Sequence, residues 1–512
     1  MQEADSWVAS LSGPATSSTR NGPFKSAFIT RPDASTSLSF PRAYSLALAP
    51  QLIHARSELL SQLVSSRAYR QVEFLAVGSF YIFKPAADPS HKHSLIRIPS
   101  TREDVFSTTA ITSKAKRGLM KFLKFVVDYT SAPQKEIWEP VADTPLVDFL
   151  KDHFKMDSEL QTFVITLALS LDGAVTTGDG LAIIHRHLSS MGMFGVGFAA
   201  VYPKWGGLSE VAQVSCRAGA VGGAVYMLGT GIGSMSNQDG QIHLELTSGD
   251  KVKTKMLVRS SESNGDQTTI ISRLVAVVGD SLKSLFEVTT EGAPAPAVAV
   301  IAFPPGSVKT ASGKSNSSPI YVFAHSSDTG ECPVGQSKLH PHSPLHFPRY
   351  YDDPTSNTYL HCLSFGYGDN TSDILMYPLL SHFIPSHYTG ICANRRSIGV
   401  LYVTSLTTPD IKETLEQALQ DLLRAVSEEG QIPQCLYELY YEQVGGSLET
   451  RVSDSIFEFP SSMLSLTFDD TIMSNVQLAW KKVMGDVGAE TDEYMVFPDR
   501  NGGMDADDDM YD

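Results

Sequence analysis

Apolar residues recur along the chain first with the spacing of strands and then with the spacing of helices. The runs "VEFLAVG" and "SFYIFKP" over 72–85 are short and rich in β-formers, and they predict two strands. The segment "ALAPQLIHARSELLSQLVSSRA" before them predicts an amphipathic helix with Pro50 near its first turn.

A helical pattern follows from about Ser107 to Ser190, with "SKAKRGLMKFLKFVVDY" and "GLAIIHRHLSSMG" among its segments. Strand-like runs return over 201–305, and "DIKETLEQALQDLLRAV" predicts a further amphipathic helix capped by Asp410. The order strand, helices, strand predicts an α/β (α+β) domain that carries an all-helical one.

The same patterns set the expected domain boundaries. Residues 1–40 show no period and predict a disordered N-terminal segment, and the helical residues 107–191 form one predicted domain. Residues 41–106 and 192–487 form the other domain, which is discontinuous. It is interrupted over 338–397, where six histidines, six prolines and weak periodicity predict an irregular insert.

Composition and charge narrow the classes of partner. The chain has 512 residues, of which 40 are basic and 56 acidic, and its net charge of -16 repels a phosphate backbone, so nucleic-acid binding is not expected. The acidic end, 488–512, predicts a disordered tail.

Five cysteines without a C-x-x-C pair argue against a disulfide framework and a zinc ribbon. The sequence shows no signal-peptide pattern and no apolar run of about eighteen residues, and we expect a cytosolic protein.

The segment "YPKWGGLSEVAQVSCRAGAVGGAVYMLG" over 202–229 has the glycines and isolated charges of a functional site. Ser209 suits a helix N-cap, the glycines after the helix suit a tight turn, and "AVYML" suits a buried strand. Glu210, Gln213 and Arg217 then share one helix face, with the acid and the arginine about 10 Å apart. Such a row suits the docking of a partner protein, and a solvated helix face explains the spacing as well.

A second predicted helix carries a basic stripe in an otherwise acidic protein. Its members recur at steps of three, four and three, so they share one face. They are Lys114, Arg117, Lys121 and Lys124. We interpret the stripe as a contact for an acidic partner or for anionic headgroups, with a solvated lysine face as the alternative.

The remaining motifs carry little chemistry. The run "GTGIGSM" over 229–235 has the glycines of a dinucleotide loop but leads into no predicted helix, so a β-turn explains it better. Cys332 and the histidines that follow it from His340 match no metal-site spacing. His185 and His187 are two apart on a predicted helix and therefore face different ways.

The 202–229 segment resembles the signature of the Rab GDP dissociation inhibitor and Rab escort protein family. That pattern runs Tyr-Pro, an aromatic residue and Gly, then Glu, Gln and Arg, and a small-residue turn before a tyrosine. Further similarity lies in "AYSLALAPQLIHARSELLSQLVSSRAYRQVEFLAV", "KRGLMKFLKFVVDY", "IYVFAHSSDTGECPVGQ" and "LYYEQ". The length and the "LYYEQ" region are similar to the escort branch, component A of Rab geranylgeranyltransferase, especially in fungi.

The resemblance implies a larger domain I with a GDI-like fold, related to FAD/NAD(P)-binding, Rossmann-like proteins but without a cofactor. Domain I of the family grips GDP-bound Rab GTPases through a platform. The matching positions are Glu210, Gln213, Arg217, Tyr226 and Met227. The helical domain II implies a site for the geranylgeranyl lipid on Rab and a contact with the catalytic heterodimer of Rab geranylgeranyltransferase. We assign the basic stripe as a candidate contact for that transferase or for the membrane.

The chain departs from the family pattern in two places. The family begins with a strand, a glycine-rich turn and a helix, and the resemblance starts just after that unit, so we expect a missing central strand, a missing platform tyrosine and low stability. The segment 338–397 has no counterpart in the pattern.

Three functions are compatible with these observations. The first is a non-catalytic Rab escort protein that presents GDP-bound Rabs for geranylgeranylation and delivers them to membranes in vesicular transport. The second is a Rab GDP dissociation inhibitor that recycles prenylated Rabs. The third is a flavin-dependent or nicotinamide-dependent oxidoreductase, which the missing phosphate-binding turn disfavours.

Overall fold

A computed structural model describes most of the chain. The described residues are 2–12, 22–31, 38–86, 88, 91–99, 102–108, 112–238, 240–261, 269–288, 291–333, 398–428, 430–446, 449–460, 464–485 and 494–497. The predicted insert 338–397 lies outside them, and so does the predicted acidic tail apart from 494–497.

Ten strands form one large sheet. They are β1 (Phe24–Thr30), β2 (Ile53–His54), β3 (Phe74–Lys84), β4 (Ser94–Arg97), β5 (Ala200–Pro203), β10 (Ile270–Val278), β11 (Val298–Phe303), β12 (Ile320–His325), β13 (Gly399–Leu406) and β14 (Cys435–Val444). Their order is β1-β14-β10-β13-β12-β11-β3-β5-β2, with β4 paired to β3. Within this sheet, β3 and β11 are parallel and the other described neighbours are antiparallel.

Two three-stranded sheets complete the described strands. The first contains β6 (Ile232–Gln238), β7 (Gln241–Leu246) and β8 (Lys251–Thr254). The second contains β9 (Leu257–Ser260), β15 (Arg451–Val452) and β16 (Ile456–Phe459). All seven residues of β6 are exposed, so this strand lies at the protein surface.

The helices fall into a central group and several single elements. They are α1 (Gln2–Ser12), α2 (Glu58–Ser65), α3 (Arg102–Ser107), α4 (Ser113–Val127), α5 (Ala132–Trp138), α6 (Leu146–Phe154), α7 (Ser158–Thr166), α8 (Thr177–Ser190), α9 (Leu208–Val221), α10 (Ile411–Val426) and α11 (Thr471–Met484). Within the described ranges, none is both long enough and apolar enough to cross a bilayer.

The large sheet separates two cores because side chains alternate along each strand. On β10, Leu274 and Ala276 pack with the apolar face of α10, where Leu419 is fully buried. Val275 and Val277 point to the opposite face and pack in the other core. Burial on both faces explains why β10 reads as one continuous apolar run.

Helices α4 to α8 pack around a core of their own between β4 and β5 along the chain. Its buried residues include Leu119, Phe122, Leu150 and Ile184. The side chain of Thr112 caps α4 by accepting a hydrogen bond from the Ala115 amide at 3.3 Å. The expected α/β (α+β) class, with helices inserted between strands, is confirmed, and the exact domain boundaries stay a prediction.

The predicted disorder of residues 1–40 is wrong for the part that the structure describes. Residues 24–30 form β1, which pairs with β14, and Ala27 is buried there. Trp7 of α1 packs edge-on against Phe24 and Tyr441, with ring centroids 5.8 and 5.6 Å apart. The Ser-rich and Pro-rich composition concealed these few apolar residues, whose order depends on a strand more than 400 positions away.

Two local predictions also differ from the structure. The predicted helix around Pro50 is replaced by β2 and the shorter α2, because Ile53 is buried in the sheet and Ser57 caps the helix by accepting from the Leu59 amide at 3.2 Å. The two strands predicted over 72–85 are one strand, β3, which passes through Gly78 without a turn.

Candidate functional site

Helix α9 is held at the end of β5 by glycines and by a buried tyrosine. Gly206 and Gly207 have φ angles of 150° and 68°, which turn the chain from Pro203 into the helix. Gly207 occupies the N-cap in place of the predicted Ser209, which instead donates its hydroxyl to the Gly206 carbonyl at 2.9 Å. A Cβ at Gly207 would be strained and would lie 2.6 Å from the Tyr202 hydroxyl, so the turn needs glycine.

The predicted row of polar side chains lies along the outer side of α9. The Gln213 amide nitrogen donates to the Glu210 carboxylate at 3.0 Å. Glu210 is half-buried, and this burial raises the pKa of its carboxyl. Arg217 lies one turn further along, exposed, and forms no hydrogen bond or ion pair with any described residue. The row therefore presents an amide paired to an acid, followed by an arginine whose charge is open to solvent.

The segment after α9 is exposed, so the predicted buried strand "AVYML" is wrong. Val225 and Leu228 are 86% and 89% exposed, and Tyr226 and Met227 are exposed as well. Residues 224–228 have no strand partner among the described residues. Sequence reasoning missed Val225 and Leu228 as surface residues because an apolar run indicates burial without saying what covers it. Val225 to Leu228 therefore form a contiguous run of exposed apolar side chains.

Tyr226 folds back over α9 because the helix presents a glycine at that point. A Cβ at Gly219 would lie 2.3 Å from the Tyr226 hydroxyl oxygen, and the Ala224 amide donates to the Gly219 carbonyl at 2.9 Å. Gly223, with φ 96°, makes the reversal possible. The predicted tight turn is confirmed, and it places Tyr226 beside the helix.

A buried carboxylate network lies beneath the loop that leads into α9. Glu331 accepts hydrogen bonds from the Tyr202 and Tyr402 hydroxyls, each at 2.9 Å, and its Oε2 lies 2.7 Å from His325 Nδ1. All four side chains are buried. Burial, and then the charge of Glu331, raise the pKa of both tyrosines well above its usual value, so both hydroxyls keep their protons and donate. The network ties β5, β12 and β13 together at the base of α9.

An apolar cavity of about 180 Å³ lies between α4, α7, α8 and β3. Its walls include Phe80, Phe122, Phe163 and Ile184. His187 is a polar residue in this lining, and burial lowers the pKa of its imidazole to about 4. Its Nδ1 has no hydrogen-bond partner among the described residues. Sequence reasoning did not identify these wall residues, since they come from separate elements that only the tertiary fold brings together.

The basic stripe lies on the exposed face of α4, as predicted, while other faces of the same helix line the cavity. Leu119 and Phe122 are buried and belong to the cavity wall. Lys121 Nζ lies 5.8 Å from the centroid of the Phe154 ring. The exposed members of the stripe are Lys114, Arg117, Lys121 and Lys124. One helix thus joins an apolar interior to a cationic surface.

The weaker motifs carry no site in the described part of the chain. The glycine run before Ile232–Gln238 leads into strand β6 and so is not a phosphate loop at a helix N-terminus. No described group of three His, Cys, Asp or Glu residues is arranged to hold a metal ion. Cys332 is buried, which raises the pKa of its thiol to about 12, and His340 lies outside the described residues. His185 packs against a tyrosine ring at 5.0 Å while His187 faces the cavity, so they point to different faces as predicted.

Comparison with known proteins gives consistent results. A sequence model of the family described as "GDI: GDP dissociation inhibitor" matches residues 13–284. The chain is 28% identical over 301 residues to the Rab proteins geranylgeranyltransferase component A of Saccharomyces cerevisiae, covering 57% of this chain and 47% of the relative. It is 29% identical over 310 residues to the protein of the same name from Candida albicans, and the match covers 57% of this chain and 45% of that relative.

One solved structure supports the fold. The Rab GDI of Plasmodium falciparum superposes with a TM-score of 0.53 at 14% identity, covering 86% of this chain and 82% of that one. This likeness shows a shared fold. The chain spans about half the length of the curated relatives it matches.

Proposed function

The chain belongs to the GDP dissociation inhibitor family, and on this premise we propose that it is a Rab escort protein. In this role it is a non-catalytic accessory component of Rab geranylgeranyltransferase. It binds GDP-bound Rab GTPases in the cytosol, presents them to the catalytic heterodimer and delivers the lipidated product in transient contact with membranes. The names of the fungal relatives, component A of that transferase, favour this branch of the family.

The exposed and preformed face of α9 carries the proposal. Glu210, Gln213 and Arg217 project from one side of a helix whose two ends are fixed by glycines. Tyr226 and Met227 extend this face with apolar surface. A surface that is ordered before binding loses little conformational entropy on docking, so it suits recognition of a folded GTPase domain.

The cavity supplies the second part of the proposal. A geranylgeranyl group is apolar throughout, and the cavity between α4, α7, α8 and β3 is lined mostly by aromatic and aliphatic side chains. Burial contributes about 0.8 kcal/mol for each CH₂ group removed from water. Held in this way, the lipid of a prenylated Rab stays out of the membrane until delivery.

Arg217→Ala should weaken binding of GDP-loaded Rab at least about tenfold, because an exposed arginine that pairs with none of the described residues is available to pair with the GTPase. The measurement is titration calorimetry with one Rab loaded with GDP and, separately, with a non-hydrolysable GTP analogue. Wild-type protein should prefer the GDP form.

Arg451→Ala serves as the matched control. Arg451 is also exposed, but it lies on β15 of a three-stranded sheet and not on α9. It should leave the affinity within about twofold of wild type. Equal binding of both nucleotide states by wild-type protein, or an unchanged affinity in Arg217→Ala, would contradict the proposed platform.

Reversal of the basic stripe with Lys121→Glu and Lys124→Glu should slow geranylgeranylation about tenfold at low salt, because charge complementarity mainly sets the association rate. The assay combines this chain, the transferase heterodimer, a GDP-bound Rab and geranylgeranyl diphosphate. Lys251→Glu and Lys253→Glu form the control pair, since these lysines are exposed on β8. An unchanged rate, with binding to anionic vesicles lost instead, would assign the stripe to the membrane.

The same assay separates escort from the alternative role. A Rab GDP dissociation inhibitor that recycles prenylated Rabs is also compatible with the family match and with the fold of the Plasmodium falciparum protein. Wild-type chain that binds GDP-bound Rab and yet fails to support prenylation would favour that alternative.

A further inference from the structure

Trp205 is an exposed aromatic residue in the loop between β5 and α9. Its side chain is 53% exposed. Its backbone φ is 74°, in the left-handed region that a bulky residue rarely adopts. Such strain persists only where the surrounding structure holds the residue in place, and strained residues cluster at functional sites.

The loop is held through both backbone polar groups of Trp205. Its amide donates to the Thr329 carbonyl at 2.8 Å, and its carbonyl accepts from the Ser45 hydroxyl at 2.9 Å. The Ser45 amide in turn donates to the Glu331 carbonyl at 3.0 Å. The strained residue is therefore tied to the same segment that carries the buried carboxylate network.

The indole ring of Trp205 also has close contacts, with Gly330 and Lys204. Gly330, with φ 75°, leaves room for it, since a Cβ there would lie 2.3 Å from a Trp205 ring carbon. Lys204 Nζ lies 4.9 Å from the ring centroid and also pairs with Glu73 at 2.9 Å. The ring is thus ordered on one side and open to solvent on the other.

Contacts with Gly330 and Lys204 account for the position of the inner side of the Trp205 ring. They do not explain why the other side of this large apolar ring is exposed to solvent. Trp205 precedes α9 by three residues, while Tyr226 and Met227 follow its other end. A helix of 14 residues is about 21 Å long, so Trp205 and Tyr226 belong to segments at opposite ends of the helix that carries the polar row. An interface of standard size, about 800 Å² on each partner, is wide enough to cover that span.

We propose that Trp205 is an anchor of the platform and inserts into an apolar depression on the GDP-bound Rab. This inference rests on the proposed function and names a contact residue outside the polar row. Tryptophan is enriched among residues that dominate binding, because it offers a large area with few rotatable bonds. The Ser326–Cys332 segment positions it through Gly330 and Thr329.

Trp205→Ala should raise the Kd for GDP-loaded Rab about 30-fold, a loss typical of a truncated anchor. Phe28→Ala is the matched control, because Phe28 is also 53% exposed but lies on β1 at the far edge of the large sheet. It should change the Kd less than about twofold. Gly330→Ala, which keeps the indole and displaces it, should raise the Kd at least about tenfold.

A second measurement does not depend on a change in affinity. The chain contains four tryptophans, so labelling it with 6-fluorotryptophan gives four ¹⁹F resonances, and Trp205→Phe identifies one of them. On addition of unlabelled GDP-bound Rab, the Trp205 resonance should shift or broaden. The inference is overturned, and the proposed function is not, if wild-type protein binds Rab while the Trp205 resonance stays in place and Trp205→Ala binds normally. Failure of wild-type protein to bind Rab overturns the inference and the proposed function together.

Discussion

Replacing Glu331 with alanine is expected to lower the free energy of unfolding by about 3–5 kcal/mol, because it removes the shared acceptor of a buried network. The Tyr202 and Tyr402 hydroxyls and His325 Nδ1 would each lose the Glu331 carboxylate as a partner, and all three side chains are buried. The Tyr402 hydroxyl would keep only the hydrogen bond that it accepts from the Ala47 amide. Each unpaired buried polar group costs about 1–3 kcal/mol. The measurement is urea denaturation monitored by circular dichroism.

One further variant separates charge from hydrogen bonding at this site, and a second variant elsewhere serves as a control. Glu331→Gln keeps a carbonyl oxygen as an acceptor and should lose only about 1–2 kcal/mol. Glu291→Ala, at an exposed position, should stay within about 0.5 kcal/mol of wild type. A loss below about 1 kcal/mol in Glu331→Ala would show that the network does not stabilise the fold. Because the network lies below α9, we also expect Glu331→Ala to weaken Rab binding.

The free energy of unfolding should also fall as pH drops from about 6.5 to 4, with roughly 2–3 kcal/mol of the loss due to His187. Burial lowers the pKa of His187 in the folded protein to about 4, whereas its ordinary value is 6.5. Between these values the unfolded chain binds a proton that the folded chain does not, so protonation favours unfolding. Well above pH 6.5 both states are neutral at this residue, and its contribution is constant.

The neighbours of His187 act in the same direction. His54 lies 5.8 Å away between ring centroids, and its pKa is lowered well below its usual value by burial first, then by His187 and Arg186. The Arg186 guanidinium pairs with Asp470 at 2.8 Å. A proton on His54 would therefore be placed in a buried site near an existing cation, and a proton on His187 would be placed in a buried site as well.

Paired denaturation curves at pH 7 and pH 4.5 test this pH dependence. His187→Leu should reduce the difference between the two curves by roughly 2–3 kcal/mol, since leucine cannot take up a proton. Ile184→Val alters the same cavity without removing a titrating group, and it should cost about 1 kcal/mol at both pH values. If His187→Leu retained the full wild-type pH dependence, the imidazole would not be the source.

Local sequence patterns predicted individual helices and turns correctly, but they predicted poorly which segments are buried or paired. The 3.6-residue period placed the exposed basic face of α4, and the glycines after α9 indicated the turn that the structure contains. The same reasoning assigned "AVYML" to a buried strand, because hydrophobicity records a preference for burial and not the presence of a covering element. It also assigned disorder to residues 24–30, whose partner strand β14 lies far along the chain.

The sequence by itself therefore determined the family, the α/β class with inserted helices and the polar row from Glu210 to Arg217, because these depend on local spacing and on a contiguous motif. Only the tertiary structure decided how that row is supported. Glu331 meets Tyr202 across 129 positions and Tyr402 across 71, and the walls of the cavity come from several separate helices and strands. Contacts over such separations are set by how the elements pack, and no local period in the chain records them.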